Sequence, residues 1–250
     1  MVHLPALPGS PMYAGSFDRV LDAAAADATA LAEGGADAIM MENFFDVPFF
    51  KDGVPPSTIA SMTAAAGRVK EAAPDLPIGI NVLRNDGRAA IAIAAAVGAE
   101  FVRINVLTAA RVTDQGIIEG DAANVLRDRA MLRADHVQIW ADVDVKHSAP
   151  LAKRPMAEEI ADTLHRGRAS ALIVSGGGTG QATDADHVRD VVEASGTAPV
   201  FIGSGATAET VGDFPGAAGF IVGTSLKDTP HLPTGRVRAD KVAAFRDALS

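Results

Sequence analysis

Asp142, Asp144 and Lys146 stand at alternate positions of one β-type run that ends in His147, and Arg103 and Asn105 alternate with Val102 and Ile104 in another. Successive strand side chains point to opposite faces, so each polar set shares one face while Val102, Ile104, Val143 and Val145 take the other. Two further runs carry polar residues, Glu42-Asn43 at the end of one and Asn81 within another. If the polar sets face an interior, each charge costs several kcal/mol unless it is paired or hydrogen-bonded. The residues therefore form either a structural network, with Arg103 neutralising Glu42 or Asp142, or a site. In a site, a carboxylate and Lys146 would share proton transfer, burial raising one pKa and lowering the other. Schiff-base chemistry at Lys146 is the alternative; it needs desolvation and a neighbouring cation, and nearby aspartates oppose it by stabilising the ammonium form. The candidate catalytic set is Glu42, Asn81, Arg103, Asn105, Asp142, Asp144 and Lys146.

A second pattern points to an anion. Three apolar runs end directly in small residues: Ala171–Val174 into Ser175-Gly176-Gly177-Gly178-Thr179-Gly180, Pro199–Ile202 into Gly203-Ser204-Gly205, and Gly219–Val222 into Gly223-Thr224-Ser225. Such loops expose backbone N–H groups, and in an α/β barrel the loops after the late strands, with a short helix N-terminus, cradle phosphate. Gly176, Gly177, Gly178, Gly203, Ser204, Gly205, Gly223, Thr224 and Ser225 are the candidate phosphate ligands; tight turns without a ligand are the structural alternative. The hydroxyls read as donors to phosphate, since no paired base or Ser-centred elbow accompanies them. Asp142 and Asp144 with Glu42 offer carboxylate oxygens to a divalent cation such as Mg²⁺ bridging to that phosphate. The six histidines lack ligand spacing for a transition metal. His3 and His147 are further acid–base candidates.

These residues need a scaffold. Short β-rich runs alternate with Ala-rich stretches of helical spacing, which predicts parallel βα units. The strands are expected at 2–4, 38–41, 78–82, 101–106, 137–143, 171–174, 200–202 and 220–222, and the helices at 20–33, 57–73, 88–97, 121–134, 156–166, 184–194, 206–211 and 238–249. Eight units in 250 residues is the size of a (β/α)8 TIM barrel forming a single domain, with an open doubly wound sheet as the other α/β solution. A Rossmann site is disfavoured because Gln181 breaks the glycine rule and the glycines follow the sixth strand, and no Walker lysine follows any loop.

A formal charge of −9 without a basic cluster excludes nucleic-acid binding, and zero cysteines exclude disulfide and thiolate chemistry. No signal-like segment opens the chain, although strand residues begin at Val2, which suggests a natural start upstream; the apolar run 89–99 is too short for a bilayer. A soluble cytoplasmic protein is the expectation. The irregular segment 48–57 lies beside Phe44, Phe45, Phe49 and Phe50, a cluster suited to shielding a barrel mouth or, with slight preference, to a homo-oligomer interface.

The opening run from Val2 to Pro11, the run Gly35–Ala38 to Glu42-Asn43-Phe44 with Pro48-Phe49, the run Asp142–His147, and the loops at 175–180, 203–205 and 223–227 together resemble the BtpA family. The resemblance spans essentially the whole chain and implies the ribulose-phosphate-binding barrel group. By position it carries over Glu42, Asn81, Asp142 and Lys146, with Gly203, Gly205, Gly223 and Thr224 at phosphate loops. Residues 228–238 depart from the family pattern. The expected function is an enzyme acting on a small phosphorylated metabolite, a sugar phosphate or nucleotide-derived compound, by isomerase, epimerase or lyase chemistry. The alternative that the resemblance implies is a non-catalytic assembly or regulatory factor, as in photosystem I biogenesis, with a phosphate-ligand sensor pocket.

Overall fold

The structure, a computed structural model, describes residues 1–176 and 183–249. Eight parallel strands curl into a barrel in the order β1 (Val2–His3), β2 (Ile39–Glu42), β3 (Ile78–Asn81), β4 (Phe101–Ile104), β7 (Gln138–Val143), β9 (Ala171–Val174), β10 (Val200–Ile202) and β11 (Gly219–Phe220). The ring closes where the Met1 nitrogen donates to the Val222 carbonyl at 2.8 Å. Around it lie helices α1 (Phe17–Glu33), α2 (Pro56–Ala72), α3 (Gly87–Val97), α4 (Ala122–Met131), α5 (Met156–Ala161), α6 (Ala185–Ser195) and α7 (Ala239–Asp247).

Local chemistry explains the helix limits. The Ser16 hydroxyl accepts the Arg19 N–H at the start of α1, and Asp86 accepts the Ala89 N–H at the start of α3. α3 stops at Gly98, whose φ of +65° is the left-handed conformation that glycine adopts without a Cβ clash. The strands split their side chains as alternation requires. Ile39 and Met41, Ile78 and Ile80, Val102 and Ile104, and Leu172 and Val174 join the main core against the helices. The intervening residues point into the barrel, where Met1, Met40 and Phe101 form a separate apolar cluster with Ala38, Trp140 and Ile221.

Several expectations need correction. The helix expected at 206–211 is instead a single 3₁₀ turn at Val211–Asp213, and the last strand is Gly219–Phe220, not 220–222. The helix expected at 156–166 is α-helical only to Ala161 and then widens into a π-turn, Asp162–Arg166. Beside the barrel, β5 (Ala110–Thr113) pairs antiparallel with both β6 (Gly116–Glu119) and β8 (Ser148–Pro150), a small sheet that the periodicity did not reveal.

Candidate functional site

At the C-terminal end of the strands a cavity of about 270 Å³ is lined by His3, Glu42, Phe44, Arg103 and Lys146 on one side and by 203–207 and 221–225 on the other. The two glycine loops meet through the Ser225 hydroxyl, which donates to the Ala206 carbonyl at 3.2 Å. Among the described residues, no backbone bond uses the N–H of Gly205, Thr224 or Ser225. Unspent amides on two adjoining loops are the arrangement that suits an anion. The turn Thr224–Leu226 is three residues long, so the amides act here without a helix dipole.

Two glycines are required by close approach. A Cβ on Gly223 would stand 2.7 Å from the His3 ring, and one on Gly203 would stand 2.5 Å from the Ile173 side chain. His3 fills the space under Gly223 and stacks on Phe44 with ring centroids 4.2 Å apart. Burial, then the Lys227 ammonium, hold its pKa well below 6.5, so the imidazole is neutral. Lys227 itself is buried with no hydrogen-bond partner for its amine among the described residues, 5.8 Å over the Phe45 ring.

The barrel interior below the loops carries the charge. Arg103 grips Asp142 with two bonds, Nε to Oδ1 at 2.8 Å and Nη2 to Oδ2 at 2.7 Å, and both side chains are buried. Burial disfavours the charged guanidinium, but the Asp142 carboxylate outweighs it and Arg103 stays ionised. Glu42 is also buried, yet among the described residues its carboxylate accepts no hydrogen bond. Lys146 is held through its backbone: Arg84 Nη2 donates to its carbonyl at 2.8 Å, and its N–H donates to Ser175 Oγ at 3.2 Å. Its amine has no bonded partner among the described residues. Burial and then Arg103 lower the Lys146 pKa, against the pull of Glu42 and Asp142. Arg84, buried and within the field of Asp142 and Glu42, is a mouth residue that sequence alternation could not find, since it lies past the end of β3. Three cations facing two carboxylates make this end positive in a chain of charge −9.

Not every expected residue joins the cavity. β7 ends at Val143, and Asp144 takes a left-handed φ of 51°, so the alternation that would have aligned it with Asp142 is lost. Asp144 instead pairs with Arg111, which also donates to Ser148 at 2.9 Å. With Asp142 bound by Arg103 and Asp144 turned away, the proposed Mg²⁺ ligands Glu42, Asp142 and Asp144 do not converge; among the described residues no three His, Asp or Glu do. The aspartates that were to hold Lys146 as ammonium are thus engaged by arginines. Asn81 donates to Asn105 Oδ1 at 3.2 Å and to the Arg103 carbonyl at 3.0 Å, and neither asparagine lines the cavity. Gly176 and His147 face a neighbouring recess with Asp144 and His187. Gly177 and Gly178 lie outside the described residues. Of the phenylalanine cluster, Phe44 forms a cavity wall, Phe45 packs edge-on against it, and Phe50 is exposed. No helix among the described residues is long and apolar enough to cross a membrane.

The BtpA family profile matches residues 1–249. The chain belongs to the BtpA family. The photosystem I biogenesis protein BtpA of Synechocystis sp. is 43% identical over 251 residues, covering 100% of this chain and 86% of that protein. Among solved structures, phosphoribosyl anthranilate isomerase from Thermus thermophilus superposes with a TM-score of 0.55 at 14% identity, over 90% of this chain and 93% of the other. Orotidine 5'-monophosphate decarboxylase from Methanocaldococcus jannaschii gives 0.53 at 13% identity, over 99% and 100%. These likenesses establish the (β/α)8 barrel of this BtpA-family chain.

Proposed function

We propose that this BtpA-family barrel is an enzyme that binds a small phosphorylated metabolite and performs acid–base chemistry on its carbon skeleton. The observation that carries the reading is one cavity uniting unspent loop amides with a buried carboxylate, Glu42, and an amine, Lys146, neither of which has a bonded partner among the described residues. The amides of Gly205, Thr224 and Ser225 anchor the phosphate, and that remote binding energy orients the reacting carbon. Glu42 is the base, since Asp142 has both oxygens committed to Arg103. Lys146 lies on the same cavity wall, where its amine meets the substrate's reacting group. A volume of about 270 Å³ suits a sugar phosphate better than a full nucleotide. That the two barrels of like fold are named for a phosphoribosyl compound and a 5'-monophosphate supports the phosphate part of the reading.

A thermal-shift screen of inorganic phosphate and phosphorylated sugars, followed by NMR of the stabilising compounds, tests it. The expected result is a stabilising compound that is also converted, and a Glu42→Gln variant that binds it without turnover. Stabilisation by several phosphorylated compounds with conversion of none would favour a sensor, and no stabilisation would reject the phosphate site.

A further inference from the structure

We infer that Lys146 is a nucleophile that attacks the carbonyl carbon of a phosphorylated aldehyde or ketone and holds it as a protonated Schiff base. The inference rests on the phosphate-binding reading and names the substrate's functional group. An amine serves this chemistry when it is desolvated, lies near another cation and lacks a carboxylate bonded to it. Lys146 is half-buried in the cavity wall and has two arginines and no bonded carboxylate around it among the described residues. Asp142 is bound on both oxygens by Arg103, and Asp144 is turned to Arg111. Neither aspartate is therefore bonded to the amine; Arg103 and Arg84 act on it electrostatically, against the opposing pull of Glu42 and Asp142. The displacement of its pKa below 10.5, caused first by burial and then by Arg103, agrees with the geometry.

The backbone at Lys146 is also fixed. Asp144 and His147 carry φ values of 51° and 57°, a conformation that costs non-glycine residues energy and persists only where neighbours impose it. Arg111 binds the side chains of Asp144 and Ser148 on either side, Arg84 holds the Lys146 carbonyl, and Ser175 takes its N–H. Arg84 and Arg111 are positioning residues in this arrangement.

The proton carrier is Glu42, on the same cavity. It takes one proton from the Lys146 ammonium, the free amine adds to the carbonyl carbon, and Glu42 delivers that proton to the carbonyl oxygen. Glu42 then takes a second proton from the carbinolamine nitrogen and gives it to the hydroxyl, which leaves as water. Ammonium and carbonyl thus become iminium and water, with the positive charge retained and no oxidant or reductant consumed.

Two measurements on the whole protein test the inference. In the first, brief treatment with formaldehyde and cyanoborohydride at pH 7, read by peptide mass spectrometry, compares Lys146 with the exposed Lys51 and Lys153. Methylation of Lys146 is expected several-fold faster than theirs, and slowed by inorganic phosphate. A rate at or below theirs overturns the inference. In the second, dihydroxyacetone phosphate or ribose 5-phosphate with cyanoborohydride should add the ligand's mass less one oxygen at Lys146. The adduct should be absent in Lys146→Met and restored to wild-type position by no other lysine. Stabilisation by phosphate without any such adduct overturns the Schiff base while leaving the phosphate reading intact. Absence of stabilisation by phosphate instead overturns the reading beneath it.

Discussion

The two ends of the barrel interior are built from the same strands and differ by two residues along each. Met40 precedes Glu42, Phe101 precedes Arg103, Trp140 precedes Asp142, and Phe201 precedes Gly203. At the N-terminal end the rings of Phe101, Trp140 and Phe201 stack at centroid distances of 4.1 and 4.2 Å, and Gly79 leaves room for Phe101, whose ring a Cβ would approach to 2.0 Å. These rings, with Met40 and Phe220, wall an apolar recess of about 550 Å³ at that end. At the C-terminal end, two residues along the same strands, the buried Glu42 and, just past β7, the half-buried Lys146 line the cavity without bonded partners among the described residues. The contrast separates an apolar, aromatic end from an end that gathers ionisable groups, the arrangement that our proposed site needs.

Substitutions at each end sharpen this division. Asp142→Leu strands the buried Arg103 charge and should cost about 3–5 kcal/mol in urea unfolding; adding Arg103→Met should recover most of that loss. Equal losses in the single and double variants would contradict a self-contained pair. Phe101→Ala should cost about 3–5 kcal/mol by cavity creation while leaving phosphate-induced stabilisation in place. Glu42→Gln should do the reverse, lowering kcat by about 10²–10⁴-fold at unchanged or higher stability, and a stability loss comparable to that of Phe101→Ala would reassign Glu42 to structure. Gly223→Ala should lose about 1–3 kcal/mol by driving a methyl into His3, and should weaken phosphate binding, measured by calorimetry.

The smallest effect is in pH. His3 has a folded pKa below 6.5, so below that pH the unfolded chain binds the proton more readily. Stability should therefore fall as pH drops through and below about 6.5, and His3→Phe, which keeps the stack on Phe44, should flatten that slope in chemical denaturation.

Much of this was legible in the chain because strand alternation and helix spacing are local. The eight parallel strands lie within two residues of their expected positions. The glycine loops at 203–205 and 223–225 were recognisable because a β-run ending in small residues has few other uses. Arg84, Asp144 and the β5–β6–β8 sheet were not recoverable. Each depends on a chain reversal beyond a strand end, where the period of two no longer says which way a side chain points.

By itself the sequence determined the barrel, the apolar face of each strand and the set of charged residues gathered at strand ends, since all three follow from short-range periodicity. Only the tertiary structure decided how those charges divide. Arg103 takes Asp142 and Arg111 takes Asp144, so among the described residues Glu42 and Lys146 remain unpaired in the cavity. Ion pairing inside a barrel depends on distances between strands far apart in the chain, and no local pattern encodes those distances.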